Sequence, residues 1–560
     1  MKLKGTGTGR YDQQLKMPSN SRLGNFEVPD LSFNEYFIGH LLEKVKQYPN
    51  RKAYISAENP SDFVTFEQLY NNIKIIETYL FSIGFKKGDV VMIASQNCWQ
   101  YIAIFGAVVS RGGALSGANS DFTAYEHNRQ IKDCGAKLVF CSSDTLSKIL
   151  EATKGLNVKV ALIDDNPKVK LPAGVVRFSD IIKTKPKKLP VPKIDKEKDL
   201  VLIPYSSGTT GDPKGVMISH KNIVSMLEAI DRYYDRNLMG SLGIEMEKET
   251  ICLIMPMFHV YGCCVCANAV IRGTTTVLMK KFDFELLCKT IQEHKVKVQF
   301  LVPMIVLLLV HHPAVSKYDL STLRVIQSGA APLGADICEL AAKKYPHLQV
   351  LGQGYGMTEA TVGTHFLANS KTNFAQTGLL APNMQMKIID PETGAEVPPG
   401  KEGEVCVRGP NVMVGYLHKP EATNNTIIEG WLHTGDIGYE DKDGLLYIVD
   451  RLKELIKVNG FQVPPAQLEG LLTSHPAIAD AAVIGIPDQR AGELPKAYVV
   501  RKSDSLTEED VKKFVADKTV HYKHLRGGVE FVKEIPRSPS GKILRKDLRA
   551  LEKKRAQAKL

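Results

Sequence analysis

No stretch of this 560-residue chain is apolar for long enough to cross a bilayer. The most apolar run, Phe300 to Val310, reaches about half the length of a membrane helix and is interrupted by Pro303, so it reads as buried core. Residues 1 to 30 begin Met-Lys-Leu-Lys and continue through Gly, Thr, Gln and Ser, without the apolar centre of a secretion signal, and secretion is not expected. The ten cysteines follow no regular spacing, which speaks against a disulfide framework and fits a reducing compartment. Cys263, Cys264 and Cys266 cluster, but with only His259 nearby they read as small packed side chains rather than metal ligands. The net charge of +11 is spread along the chain without aromatic-basic interleaving, so no nucleic-acid module is expected; a solvated basic surface accounts for most of it.

What is present is an ordinary globular composition, 44% hydrophobic and 24% charged, in a chain too long for one core. Thr65 and Gln68 form a capping-box pattern, and Phe66, Leu69, Ile73, Ile76 and Leu80 keep one helical face apolar. Val90 to Ile93, a helix from Trp99 to Val109, Leu138 to Phe140, a further helix, and Val158 to Ile163 follow. Helices alternating with short all-apolar strands predict an α/β fold with mostly parallel sheets flanked by helices. The Lys- and Pro-rich segment Lys183 to Lys198 reads as a surface connection, after which Leu200 to Ile203 reads as a strand and Ser219 opens a helix. Between about 384 and 449 the period becomes strand-like, with turns at 391–394, 398–400 and 441–444, predicting a β-rich subdomain within a large unit spanning 1–449. A small compact α+β unit is expected over 450–560.

The strongest local signal is Tyr205-Ser206-Ser207-Gly208-Thr209-Thr210-Gly211-Asp212-Pro213-Lys214-Gly215, set between a strand and a helix. Glycines let backbone N–H groups converge on an anion, the hydroxyls add donors, and Lys214 adds a mobile cation, which together make a phosphate cradle. It is not a Walker A loop, since no Gly-Lys pair followed by Ser or Thr stands at the required offset.

This segment resembles the phosphate loop of the adenylate-forming superfamily: acyl-CoA synthetases, 4-coumarate:CoA ligases, beetle luciferases and peptide-synthetase adenylation domains. Tyr355-Gly356-Met357-Thr358-Glu359, Trp431-Leu432-His433-Thr434-Gly435-Asp436, Asp450-Arg451-Leu452-Lys453-Glu454 and Ser538-Pro539-Ser540-Gly541-Lys542 match further family motifs in order. The resemblance implies an ATP-dependent acid:CoA ligase that forms an acyl-adenylate, releases pyrophosphate, and passes the acyl group of a fatty or aryl-propenoic acid to coenzyme A.

It further implies roles for particular residues. Ser206, Ser207, Gly208, Thr209, Thr210, Gly211, Lys214 and Thr358 would hold the phosphates of ATP, with Glu359 on Mg2+. The turn Ser328-Gly329-Ala330-Ala331 and the run Gln353, Gly354, Tyr355 and Gly356 would line the adenine pocket, with Asp436 on the ribose hydroxyls, assisted by Arg451. Lys542 would bridge carboxylate and α-phosphate, a point charge on a flexible stem suited to shifting charge. His259, Tyr261, Cys263, Cys264, Gly329, Val362 and Gly363 would form the acyl pocket, His259 close to the reacting carboxylate. Asp450 and Lys453 stand at the hinge of a rotating carboxy-terminal cap, and Lys457, Gly460, Phe461 and Gln462 would face the site for thiolation, Lys457 with a catalytic part.

A luciferase-like monooxygenase shares most of these residues, but Val362 stands where luciferases carry a Ser. A silent nucleotide-binding homologue is disfavoured by the joint presence of Lys214, Glu359, Asp436 and Lys542. The last three residues, Ala558-Lys559-Leu560, resemble the Ser-Lys-Leu peroxisomal address, so a peroxisomal import receptor is the expected partner.

Overall fold

The computed structural model describes residues 18–164, 169–206, 213–368, 373–459, 461–488, 490–538 and 541–558. Short apolar runs form the strands Val90–Ala94, Ala114–Ala118, Ala136–Cys141, Lys159–Leu162, Val175–Arg177 and Leu200–Leu202, parallel within one sheet. Alternate side chains enter opposite cores. Val91 and Ile93 pack with the helices Phe66–Ser82 and Trp99–Ser110, whereas Val90, Met92 and Ala94 pack with Ala124–Cys134 and Leu146–Ala152. A sheet covered on both faces is why its strands are continuous hydrophobic runs. The expected capping box closes at Phe66–Ser82, where Thr65 N donates to Gln68 Oε1 at 3.0 Å and Gln68 N to Thr65 Oγ1 at 3.2 Å.

Two smaller sheets with parallel pairings follow the same logic. One contains Lys52–Ser56, Thr250–Leu253 and Thr275–Leu278; the other contains Val298–Leu301, Val325–Ser328 and Val350–Gln353. The apolar run at 300–310 divides between the strand Val298–Leu301 and the helix Pro303–His311. Pro303 sits in the first turn, where its missing N–H leaves no bond unmade. No helix among the described residues is long and apolar enough to cross a membrane.

The β-rich region is antiparallel: Gln385–Ile389, Gly403–Arg408, Trp431–Glu440 and Leu446–Arg451 lie in one sheet. Ser19–Asn20 adds a strand beside Gln385–Ile389, a pairing with no local sequence signal. The ladder runs on through Asp450, opposite Ile437, and Arg451, opposite Asp436. The chain therefore leaves this sheet only after Arg451, because a strand ends where its pairing ends. The remaining residues build a five-stranded sheet, Ile456–Val458, Phe461–Val463, Ile478–Asp488, Gly492–Arg501 and Val529–Phe531, with helices Pro465–Thr473, Glu508–Ala516 and Arg545–Ala558.

The helix opened by Ser219 changes character. An α-helix over His220–Ala229 passes into a π-helix over Ile230–Met239, and Arg236 Nε donates to Asp231 Oδ1, five residues back, at 2.9 Å. Long π-helical turns are uncommon and tend to border functional sites.

Candidate active site

The strands Val325–Ser328 and Val350–Gln353 end side by side, and the chain turns over one cavity at their carboxyl ends, where open α/β sheets hold ligands. The cavity encloses ≈ 1090 Å³ of space, its open mouth included. Gly329 and Ala330 line it from the first strand; Gly354, Tyr355, Gly356 and Thr358 line it from the second, followed by Val362 and Gly363. Ala331 is not on that wall. Gln353 departs from its expected place: its amide accepts from Leu333 N at 2.8 Å and donates to the carbonyls of Leu333 and Phe374 at 3.1 and 3.0 Å. Its polar atoms hold backbone together and do not reach the cavity, because side chains on a strand alternate between faces.

The turn after Tyr355 is strained. Thr361 and Val362 have φ of 47° and 89°, a left-handed conformation costly for β-branched residues. Asn411 holds it there, donating from Nδ2 to Ala360 O at 2.8 Å and Gly363 O at 3.1 Å, while Thr361 Oγ1 donates to Asn411 O at 2.7 Å. A Cβ on Gly356 would stand 1.8 Å from Val362 O, so only glycine fits within this motif.

Tyr355 donates from its hydroxyl to Asp436 Oδ2 at 2.6 Å, and Arg451 Nε lies 3.4 Å from Asp436 Oδ1. Burial pushes the Asp436 carboxyl up, while Arg451, the Tyr355 hydroxyl and Lys542 pull it down. Glu404 braces the strand that carries Asp436, accepting from Gly435 N at 3.0 Å and lying 3.0 Å from His433 Nδ1. Glu404, Cys406 and His433 are close enough to share an ion, but both oxygens of Glu404 are already engaged in this bracing.

The side expected to hold phosphate is built from two elements. Lys214 begins the strand Lys214–Ser219, pairs with Ser206, and holds Nζ 4.8 Å from the Tyr416 ring centre. Tyr416 donates to Glu359 Oε1 at 2.9 Å, so one phenol links the lysine and the buried carboxylate. Ser207, Gly208, Thr209, Thr210 and Gly211 lie outside the described residues.

Lys542 comes from the small domain and lines the same cavity. Burial, then Arg451, pushes its ammonium down, while Glu359 and Asp436 pull the other way. The turn is tied back: Lys542 N donates to Ser538 Oγ at 3.1 Å, and Arg537 Nη1 donates to Gly541 O at 2.9 Å. A Cβ on Gly541 would stand 3.5 Å from Val302, so the turn docks closely on the large domain.

His259 caps the helix Val260–Arg272, its Nδ1 accepting from Tyr261 N at 3.2 Å. Burial, reinforced by nearby Lys542, pushes this imidazole down to about 4, so it is neutral at pH 7. Tyr261, Cys264, Val265 and Asn268 recur at helical spacing and face the cavity. Cys263, expected there, is instead buried in the core near Tyr101, because adjacent helical residues point about 100° apart. All ten cysteines are free, and burial pushes the Cys264 thiol up to about 12, which leaves it inert.

Of the expected thiolation residues, Lys457 and Phe461 are not brought to the cavity. Lys457 is exposed on its strand, its N–H donating to Glu493 Oε2 at 2.8 Å, and Phe461 is 51% exposed, stacked on Tyr522 with ring centres 4.5 Å apart. Gly460 and the Gln462 side chain lie outside the described residues. At the expected hinge Lys453 is exposed, whereas Asp450 is buried and accepts from Arg451 N at 2.7 Å and Ala466 N at 2.8 Å. Sequence reasoning missed Asn411 and Tyr416. Asn411 sits in a Gly-Pro-Asn turn and Tyr416 in a two-residue strand, and neither context announces a site.

Comparisons with known proteins identify the family and the fold. The family model described as AMP-binding enzyme matches residues 41–417, and that of the AMP-binding enzyme C-terminal domain matches 467–542. A 4-coumarate–CoA ligase 2 of Petroselinum crispum is 40% identical over 548 residues, covering 95% of this chain and 97% of its own. A 4-coumarate–CoA ligase 1 of Arabidopsis thaliana is 40% identical over 547 residues, covering 95% and 94%. Among solved structures, the anthranilate CoA ligase AuaEII with anthranoyl-AMP superposes with a TM-score of 0.85 at 25% identity, covering 95% of this chain and 100% of its own. ATP-bound MatB from Rhodopseudomonas palustris gives 0.81 at 26%, covering 93% and 99%.

Proposed function

The chain belongs to the AMP-binding enzyme family, and from that premise we propose how its residues divide the work. It is an ATP-dependent acid:CoA ligase that proceeds through an acyl-adenylate. The observation that carries the assignment of parts is that Lys542, Tyr355, Thr358 and His259, drawn from two domains, line one cavity.

The acid enters the apolar side of the cavity with its carboxylate near neutral His259, which adds no charge of its own. Tyr355 and Gly354 face adenine, and Asp436, oriented by the Tyr355 hydroxyl and Arg451, accepts from the ribose. Attack of a carboxylate oxygen on the α-phosphorus forms one P–O bond and releases pyrophosphate. Lys542 neutralises charge that moves between those oxygens, an interaction strongest in the transition state. Glu359 and Thr358 supply hard oxygen donors suited to Mg2+ bound chiefly through phosphates; when present, that ion screens the pyrophosphate charge. Rotation of the small domain about Asp450 and Lys453 would then withdraw Lys542 and bring Lys457, Gly460, Phe461 and Gln462 over the adenylate, where the CoA thiol, losing its proton, would attack the acyl carbon, forming the C–S bond and breaking the acyl–phosphate C–O bond to release AMP. The exposure of Lys457 and Phe461 here, opposite in kind to the burial of Lys542, is what a two-position cap requires.

A fatty or aryl-propenoic acid is the proposed substrate class, supported by the apolar walls at Val265, Ala269 and Phe300 and by relatives named for 4-coumarate. Acid-dependent ATP–pyrophosphate exchange with 4-coumaric and decanoic acids, then thioester formation on adding CoA, tests the whole assignment. Absence of exchange with both acids would remove it. The terminal Ala558-Lys559-Leu560, of which Lys559 and Leu560 lie outside the described residues, is proposed as a peroxisomal address. A fluorescent fusion that stays peroxisomal after deletion of these three residues would refute that address.

A further inference from the structure

The segment Lys183 to Lys198, set apart in the sequence by its lysines and prolines, contributes nothing to the cavity. Residues 185–195 form neither helix nor strand. Pro186, Pro190 and Pro192 fix their own φ angles and offer no N–H, which keeps this stretch extended. Bonds from three places lay it against the large domain. Lys187 N donates to Thr78 Oγ1 at 3.0 Å, Arg111 Nη1 to Pro190 O at 2.8 Å, and Lys87 Nζ to Lys193 O at 2.9 Å. The guanidinium carbon of Arg111 also stands 5.3 Å from the ring centre of Phe81, so Phe81 and Pro190 share one guanidinium.

This anchoring turns lysines and apolar carbon outward together. Val191 is 84% exposed, the most exposed of the large apolar side chains among the described residues, and Phe81 is 46% exposed. No acidic residue occurs from 181 to 194. Carboxylates at the border already have cations: Asp180 has Lys183 at 2.9 Å, Asp199 has Lys87 at 2.7 Å, and Glu77 has Lys74 at 2.9 Å. Lys185, Lys187, Lys188 and Lys193 are exposed, and none of them has an ion-pair partner among the described residues. Ammoniums without partners, set around exposed apolar side chains, fit a surface that offers both anions and a place to bury carbon. An acidic protein offers the anions; an anionic bilayer offers both.

We propose that this face docks the enzyme on an anionic lipid surface. Lys185, Lys187, Lys188 and Lys193 meet lipid phosphates, and Val191, with Phe81 beside it, enters the boundary between headgroups and acyl chains. The contact is peripheral, in keeping with the lack of a membrane-length apolar helix among the described residues. Because the segment is bonded to the large domain, docking leaves the small domain free of the membrane contact.

The test measures binding of the full chain to phosphatidylcholine vesicles with and without phosphatidylserine, by flotation at low and high salt. Binding should require phosphatidylserine and weaken with salt. The triple variant Lys187→Ala/Lys188→Ala/Lys193→Ala should bind roughly a hundredfold more weakly, at about fivefold per lysine. Val191→Ser, which leaves every charge in place, should bind about tenfold more weakly and serves alone should the triple variant fold poorly. Lys553→Ala/Lys554→Ala, on the exposed side of the terminal helix, should bind as the parent does. Equal binding to neutral and anionic vesicles, full binding by the triple variant, or an equal loss from the Lys553 and Lys554 changes would overturn the proposal. Binding to soluble poly-glutamate as tight as to anionic vesicles, with Val191→Ser unaltered toward both, would put an acidic polypeptide in place of the membrane and overturn it as well.

Discussion

The guanidinium of Arg537 donates through Nη1 to the carbonyl of Gly541 at 2.9 Å and through Nη2 to Asp480 Oδ1 at 2.8 Å. The turn that carries Lys542 is thereby fastened to the sheet of the small domain. Arg537→Ala should lower acyl-adenylate formation about tenfold, the worth of a hydrogen bond to a charged group. Thioester formation from supplied acyl-adenylate should hold, measured by CoA consumption. Equal loss in both half-reactions would mean that Arg537 serves only folding.

Lys542 sits over the cavity in this domain arrangement, and Lys457 does not. Lys542→Ala should abolish pyrophosphate exchange and spare thiolation of added acyl-adenylate. Retained exchange in that variant would contradict the role given to this ammonium.

Burial and Arg451 push the Lys542 ammonium below the ordinary lysine value of 10.5. A lysine carries its charge below its pKa, so adenylation should fall as pH rises, with its midpoint under 10.5. Removing the neighbouring cation by Arg451→Gln should move that midpoint upward. A pH–rate profile of exchange in which Arg451→Gln leaves the alkaline limb in place would refute the coupling.

A methyl group at residue 356 would overlap Val362 O. Gly356→Ala should therefore cost about 1–3 kcal/mol of stability, as overpacked sites do, and weaken nucleotide binding by moving Tyr355. Urea midpoints and ATP titration check both effects; a variant unchanged in each would show that the turn can yield.

His127, His220 and His365 are buried, and burial pushes them down to about 4, 4 and 3. Each stays neutral when folded but can take a proton when unfolded, at about 6.5. Stability should thus be intact above about pH 6.5 and decline as pH falls toward 4, by roughly 1–3 kcal/mol per histidine. His127→Leu should flatten that decline in urea melts at pH 7.5 and 5; an unaltered slope would exclude His127 as a contributor.

Local chemistry was legible along the chain. Thr65 and Gln68 announced their helix start, the Tyr355 to Glu359 run its cavity wall, and Lys542 its place on a turn, because each signal lies within a few consecutive residues. Gln353 was misplaced because a strand alternates its faces, and its amide turned to the backbone of Leu333 and Phe374. Cys263 and Cys264 look alike in the sequence, where nothing adjacent to either fixes which side of the helix meets the cavity; only Cys264 lines it.

The sequence by itself determined which groups could bind phosphate, accept from a ribose or neutralise a moving charge, since those capacities belong to the side chains. Only the tertiary structure decided that Asn411 restrains the strained turn at Val362 and that Tyr416 links Lys214 to Glu359. Asn411 and Tyr416 meet partners from about fifty to about two hundred residues away, and such meetings depend on how sheets and helices pack rather than on any local pattern.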